Sequence, residues 1–150
     1  MKKLLKKPNT PKKIVKLNFI FHSPVKGLDH KKLKTYLLIA ANQLSLSGIF
    51  NVVFCDPQLA GKLNSKFRKK NYPPDILTFW YEDQKEADII INTRFLEKDP
   101  NTTCLRLGVH GLVHLTGLDH EVPEQQDSFF RLEQKVLNYL QVKAASTLPT

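Results

Sequence analysis

The chain has 150 residues and a 41% apolar fraction, which suit one ordinary globular domain with a real hydrophobic core. Two cysteines do not form a disulfide framework, so a small secreted scaffold is excluded and a reducing, cytoplasmic location is favoured. No segment is long and apolar enough for a membrane span or a complete signal peptide, so we expect no membrane contact. The net charge of +9 is the unusual bulk feature.

Much of this charge lies in residues 1–13, which contain six lysines. Pro8 and Pro11 argue against a continuous helix there, so we expect a mobile N-terminal arm. The arm is interpreted either as a solubilising tail or as an electrostatic arm that finds phosphate backbones. We expect residues 14–143 to form a single catalytic domain and residues 144–150 to form a frayed C-terminal tail.

The remaining chain alternates between strand-like and helix-like patterns. Apolar residues at helical spacing follow two potential capping residues, Asp29 and Asp56, and β-rich runs predict four strands. In chain order we expect a strand at 14–21, a helix at 30–46, a strand at 50–55, a helix at 57–70, strands at 76–81 and 87–92, a short helical stretch at 95–98, and helices at 102–116 and 123–140. The helix at 57–70 should direct Leu59, Leu63 and Phe67 inward.

The short polar link between the last two strands predicts an antiparallel hairpin. The mixed order of strands and helices predicts an α+β domain, with a four-stranded mixed β-sheet packed with helices in three layers. Cys55 lies in an apolar strand-like run and is predicted to be a small core residue. Cys104 should point well away from any site formed by the histidines that follow it.

Residues 110–120 hold three of the five histidines of the chain. His110 and His114 are four residues apart, so a helix would place both imidazoles on one face. Gly117 can adopt the left-handed conformation that ends a helix, so that His120 approaches the same point from beyond the turn. Three converging imidazoles are a zinc ligand set that leaves one coordination position open, which indicates catalysis.

Two other interpretations of these histidines carry less weight. Three unrelated histidines would rarely show H-x3-H-x5-H spacing with a glycine at the helix exit. A closed structural zinc site would need a fourth Cys or His at typical spacing, and none follows. An open zinc site lowers the pKa of a bound water to about 7, which supplies hydroxide at neutral pH.

The histidine spacing also matches the zinc-binding half of the metzincin proteases, which carry a glutamate directly after the first histidine. Gly111 stands at that position here, and loss of the general base should cost about 10²–10⁴-fold in rate. We therefore expect a substrate such as RNA, whose 2′-hydroxyl lies beside the scissile phosphate. A divergent metalloprotease and a non-catalytic, zinc-stabilised ribosome assembly module remain as alternatives.

Residues 110–120, read as HGLVHLTGLDH, resemble the signature of the YbeY family of bacterial endoribonucleases. Residues 63–79 are similar to the arginine-containing segment of that family, and residues 87–92 to its Gly-Asp-Ile strand. The resemblance implies a zincin-like, metal-dependent hydrolase domain. It also implies a single-strand-specific endoribonuclease that acts in 16S rRNA 3′-end maturation and ribosome quality control, with the small ribosomal subunit as a partner.

The resemblance also assigns the site residues. His110, His114 and His120 correspond to the metal ligands, His114 and Arg68 are the expected catalytic residues, and one Zn²⁺ per chain is the expected cofactor. The same ligands accept Ni²⁺ or another divalent ion. Three departures from the family pattern affect the outer side of the cleft rather than the ligands: Pro74 replaces threonine, Thr78 replaces serine, and Asn92 replaces a residue that is often small and hydroxylated.

Arg68 also has a physical case of its own. A guanidinium can clamp two phosphate oxygens and offset charge that builds on phosphorus, whereas the plainer interpretation is a solvated arginine at a helix end. Tyr72 offers a stacking surface for a base. Nearby lysines add positive charge, namely Lys66, Lys69 and Lys70.

Two acidic residues near these motifs have open roles. Asp119 could bond the far nitrogen of a ligand histidine, or it could simply form the turn. Asp75 has a similar ambiguity. His22 and His30 are interpreted as ordinary surface or core residues.

Overall fold

The computed structural model describes residues 14–147, with side chains up to residue 141, so the arm expected at residues 1–13 lies outside the described part. The described chain contains four strands and four α-helices. The strands are β1 (Val15–Phe21), β2 (Gly48–Cys55), β3 (Ile76–Tyr81) and β4 (Glu86–Asn92). The helices are α1 (His30–Gln43), α2 (Pro57–Arg68), α3 (Pro100–His114) and α4 (Gln126–Thr147), with short 3-10 turns at Glu82–Gln84, Thr93–Leu96 and Pro123–Gln125.

The strands form one mixed sheet in the order β1-β2-β4-β3. Strands β1, β2 and β4 are parallel, and β3 runs antiparallel to β4. The predicted mixed sheet and its antiparallel hairpin are therefore confirmed. Because β3 has a partner on one side only, it is an edge strand, and alternate residues on one of its faces line the cleft described below.

Helices cover both faces of the sheet, as the three-layer prediction requires. Helices α1, α3 and α4 enclose the main core on one face, where alternate residues of the central strands point inward. Helix α2 covers a smaller apolar cluster on the other face. Cys55 and Cys104 are both fully buried and unpaired, so the prediction of Cys55 as a core residue is confirmed.

Aspartates cap three of the helices at their N-termini. The carboxylates of Asp29 and Asp56 accept backbone N–H bonds in the first turns of α1 and α2, as predicted. Asp99 caps α3 in the same way, so this helix begins two residues earlier than the sequence suggests. Helix α4 continues to Thr147, into the segment expected as a tail, while residues 148–150 lie outside the described part.

The inward orientation predicted for Phe67 is wrong. Its side chain is 57% exposed, and it contacts the ring of Phe79 edge to face. Phe67 lies in the last turn of α2, and Phe79 belongs to the edge strand β3, so no further strand covers the outer side of the ring. Ala60 and Asn64 are the buried residues of this helix instead.

Within the described residues, none of the helices combines the length and the apolar character that a membrane span needs.

Candidate metal centre

Three histidines from α3 and the loop that follows it converge on one point. The ring centroids of His110, His114 and His120 lie 5.0 Å apart in each pair. One ring nitrogen of each lies within 4.8 Å of the other two. The first two imidazoles share a face of α3 because they are one turn apart. The convergence predicted from the spacing is thus present in the structure.

The loop after α3 brings His120 back to this point. Helix α3 ends at His114, and the N–H of Gly117 still bonds to the carbonyl of that residue at 3.0 Å. Gly117 has φ +98°, a left-handed conformation that favours glycine. The carboxylate of Asp119 accepts the N–H of Glu121 at 2.9 Å, so Asp119 helps to form the turn.

Glu133 of α4 holds the first histidine from behind. Its Oε2 lies 2.5 Å from Nδ1 of His110, and both side chains are about four-fifths buried. A carboxylate at Nδ1 holds the proton on that nitrogen and leaves Nε2 as the lone-pair donor. Sequence reasoning missed this residue. The available signal was a charged residue four positions after Phe129, on the apolar stripe of α4.

The protonation state of His114 also suits a metal site. Burial and, to a smaller extent, repulsion from His110 and His120 together lower the pKa of its imidazole from 6.5 to about 4, against smaller opposing effects of Asp119 and the Leu118 carbonyl. The ring is therefore neutral near pH 7. Neutral imidazole is the form that donates a lone pair to a metal.

The aromatic side chains of α4 form an apolar backing for the cluster. The ring centroid of Phe129, which is fully buried, lies 4.7 to 5.0 Å from those of all three histidines. Phe130 stacks on His120 at 5.9 Å with an interplanar angle of 16°. This packing restricts the rings to orientations in which they face one another.

These residues fit a divalent cation. Three imidazole nitrogens suit zinc, which binds imidazole at about 2.0–2.1 Å in tetrahedral sites. Among the residues that the structure describes, the cluster has three members, and no fourth His, Cys, Asp or Glu joins it. All three histidines line the cleft described next, so an ion held by them would be accessible to solvent or to a substrate.

A cleft of about 670 Å³ opens in front of the histidines. We call the side formed by His110, His114 and His120 the inner wall. A second part of the lining, which we call the outer wall, is formed by the end of α2, the loop at residues 69–75, strand β3 and the 3-10 turn after β4. Its lining residues are Arg68, Tyr72, Pro73, Pro74, Asp75, Ile76, Thr78, Trp80 and Phe95.

Arg68 lines the same cleft as the three histidines, at the position that the family resemblance implies. It is the last residue of α2, and its side chain is exposed. Lys70 instead bonds to Glu121 at 3.1 Å and is the main cause of the lowered pKa of that carboxyl, with a smaller contribution from Arg68. Lys66 lies over the ring of Phe67, and neither it nor Lys69 lines the cleft.

Comparison with known proteins identifies the family and the fold. The family model described as Endoribonuclease YbeY matches residues 26–141, which include every cleft residue named above. The chain belongs to the YbeY endoribonuclease family. The family is named for endonucleolytic cleavage of RNA, so its members are hydrolases of phosphodiester bonds.

Individual relatives agree with this assignment. Endoribonuclease YbeY of Spiroplasma citri is 32% identical over 131 residues, which cover 75% of this chain and 80% of the relative. Endoribonuclease YbeY of Thermodesulfovibrio yellowstonii is 37% identical over 106 residues, or 61% of this chain and 67% of the relative. The solution structure of a Thermotoga maritima protein covers 89% of this chain and 93% of its own, with a TM-score of 0.55 and 23% identity, and therefore shares the fold.

The departures from the YbeY pattern lie on or behind the outer wall. Two buried asparagines hold the loop there: the Asn64 amide donates to the Tyr72 carbonyl at 2.8 Å, and the Asn92 amide donates to the Pro74 carbonyl at 3.1 Å. The backbone N–H of Asn92 also bonds to the carbonyl of Asp75 at 3.0 Å. The side chain and backbone of Asn92 thus fix this loop from behind the outer wall.

Gly111, which follows the first histidine, is packed tightly against the sheet. A Cβ atom there would lie 2.9 Å from Cγ2 of Ile89 and 3.1 Å from Oγ1 of Thr78. The glutamate that metzincin proteases carry at this position has no space in this fold. The geometry therefore disfavours the metalloprotease alternative and agrees with the YbeY assignment.

Proposed function

We propose that this protein is a zinc-dependent endoribonuclease that cleaves single-stranded RNA in 16S rRNA 3′-end maturation and ribosome quality control. The observation that supports it best is the convergence of three imidazoles in a cleft that also holds Arg68, in a chain of the YbeY family. Ribosomal RNA and the small ribosomal subunit would be its partners, and the cytoplasm its location.

In this proposal the inner wall holds the metal. His110, His114 and His120 each provide one nitrogen, and Glu133 keeps the His110 ring in the tautomer that can donate. Bound zinc would supply Lewis-acid chemistry, since it lowers the pKa of a coordinated water and withdraws charge from a phosphate oxygen. The neutral state of His114 keeps protons from competing for the site near pH 7.

Arg68 acts from the outer wall. Its planar guanidinium can bond two oxygens of the scissile phosphate at once, which positions the phosphorus against the inner wall. The same contact stabilises the negative charge that develops during attack. The attacking group is either a water molecule or the neighbouring 2′-hydroxyl of the RNA.

Metal analysis combined with RNA cleavage tests the proposal. Wild-type protein should bind one zinc per chain and cleave single-stranded RNA. His114→Ala should lose both properties, and Arg68→Ala should lose cleavage while keeping zinc. His22→Ala and Arg131→Ala are matched controls, because both side chains are exposed and outside the cleft, and they should behave as wild type.

Three results would contradict the proposal. Unchanged cleavage by His114→Ala would assign the activity to another site or to a contaminant. Metal-dependent melting without cleavage under any metal would favour the non-catalytic assembly module. Peptide cleavage that a chelator abolishes would favour the alternative of a divergent metalloprotease.

A further inference from the structure

Three large aromatic side chains are exposed on the outer wall. Tyr72 is 53% exposed, Phe95 49% and Trp80 39%, and all three line the cleft. They belong to the loop before β3, the 3-10 turn after β4, and β3 itself. Aromatic rings gain much free energy from burial, so several of them exposed around one cleft indicate a partner that covers them.

The three rings lie at two separate ends of the cleft. In the hairpin, Trp80 pairs with Ala87 and Ile76 pairs with Ile91, so Trp80 and Ile76 lie at opposite ends of β3. Four residues of strand span about 14 Å. Tyr72 and Phe95 lie beyond the Ile76 end, because Tyr72 precedes β3 and Phe95 follows β4.

The metal centre lies alongside this strand. A Cβ atom on Gly111, the neighbour of His110, would lie 3.3 Å from Cδ1 of Ile76 and 3.1 Å from Oγ1 of Thr78. His110 is therefore level with this part of β3, and Trp80 lies further along the strand on the same face. A chain bound along the cleft would pass the histidines and meet aromatic rings on either side of them.

Resting on the proposed function, we propose that Trp80 at one end and Tyr72 with Phe95 at the other are stacking platforms for unpaired bases on either side of the scissile phosphate. Every base has a π-face, so stacking on aromatic rings tolerates many sequences. Arg68 is a cationic side chain on the same wall and would contact the backbone between the platforms.

This arrangement also explains a preference for single strands. Neighbouring stacked bases in a duplex strand are about 3.4 Å apart, whereas the length of β3 separates the two ends of the cleft, so neighbouring stacked bases cannot contact rings at both ends. A single strand can extend and turn its bases outward onto aromatic side chains. Two of the platforms are held in place: the indole N–H of Trp80 donates to Glu82, and the backbone of Tyr72 is held by Asn64.

The chain contains a single tryptophan, so its intrinsic fluorescence reports directly on the Trp80 end of the cleft. We would titrate full-length His114→Ala protein, which should bind RNA without cutting it, with a short unstructured oligoribonucleotide and with a blunt duplex of the same sequence. The single strand should quench the fluorescence, and the duplex should bind more weakly and leave it nearly unchanged.

Variants in the same background separate stacking from general binding. Tyr72→Ala and Phe95→Ala should each weaken binding about 5- to 150-fold, since stacking contributes about 1–3 kcal/mol per base. With a labelled strand and anisotropy, Trp80→Leu should weaken binding similarly, and Trp80→Phe should largely restore it. Tyr81→Ala and Phe67→Ala are matched controls and should bind normally, because these exposed aromatic residues lie outside the cleft.

The outcomes keep this inference distinct from the proposed function. If the single strand binds but neither quenches Trp80 nor responds to the aromatic variants, the inference is wrong even where wild-type protein cleaves RNA. Equal quenching by the duplex would also contradict it. If stacking behaves as expected while no metal supports cleavage, the inference stands and the proposed function fails.

Discussion

The two walls of the cleft are built in contrasting ways. On the inner wall the imidazoles are backed by the buried ring of Phe129, and Glu133 fixes His110. On the outer wall, Arg68, Tyr72 and Trp80 project into solvent from a helix end, a loop and an edge strand. A metal site needs ligands that are already in position. A site that receives a polymer benefits from side chains that are open to solvent before the polymer binds, so the contrast separates metal binding from contact with the substrate.

The largest effect should come from Arg68→Lys, which keeps the charge of the outer wall but removes the planar fork. We expect the rate of single-turnover RNA cleavage to fall about 10²–10³-fold, since one lost transition-state contact costs that much. Zinc content should stay at one per chain. Loss of zinc in this variant would show that zinc binding on the inner wall depends on the outer wall. Unchanged cleavage would contradict the transition-state role assigned to Arg68.

Substitution of Glu133 tests the inner wall, where we expect a change in zinc affinity. Glu133→Ala should weaken zinc binding about 10- to 100-fold, because the His110 ring loses the partner that fixes its tautomer. Glu133→Gln keeps an oxygen acceptor and should fall between this variant and wild type. Competition with a chromophoric chelator measures the affinity.

Asp127→Asn is the matched control for Glu133, because it alters an exposed carboxylate on the same helix. It should bind zinc with wild-type affinity. If Glu133→Ala also bound zinc as tightly as wild type, the carboxylate would not orient the ligand.

Gly111 lies next to His110 and packs tightly against the sheet, so Gly111→Ala should destabilise the fold. The new methyl group would lie 2.9 Å from Ile89, and overpacking of a core costs about 1–3 kcal/mol in the free energy of unfolding. Gly61→Ala is the matched control, since its Cβ would meet nothing closer than 3.8 Å and alanine favours a helix. Urea denaturation measures both, and equal stability of the two variants would contradict the packing argument.

The inner wall was largely predictable from the sequence, and the outer wall was not. His110, His114, Gly117 and His120 lie within eleven residues, so the spacing of one helical turn and the glycine turn that follows bring the histidines together through local geometry. The approach of α4 depends on long-range packing, so the contact of Glu133 with His110 could not be read from spacing alone.

The outer wall depends on contacts between distant segments. Trp80 and Phe95 reach one cleft through strand pairing and a turn that local patterns do not specify. The same reason explains the error at Phe67, because its exposure follows from the position of β3 at the edge of the sheet. Arg68 was found through family resemblance, since a lone arginine at a helix end is common.

A smaller effect should appear in the pH dependence of metal-free protein. Folding lowers the pKa of His114 from 6.5 to about 4, so the unfolded chain binds a proton more readily. The stability that neutral His114 contributes is present above pH 6.5 and is lost as the pH falls to about 4. Thermal melting in chelator across this range should show a steeper decline for wild type than for His114→Gln, and parallel curves would contradict the assigned pKa.

The most direct test of the central claim is a crystal structure of zinc-loaded protein, with anomalous scattering recorded at the zinc edge. We predict one strong peak within about 2.0–2.1 Å of a nitrogen of His110, His114 and His120, with a solvent oxygen as the fourth ligand. Imidazoles that point apart, or a fourth protein side chain that closes the coordination sphere, would contradict the account.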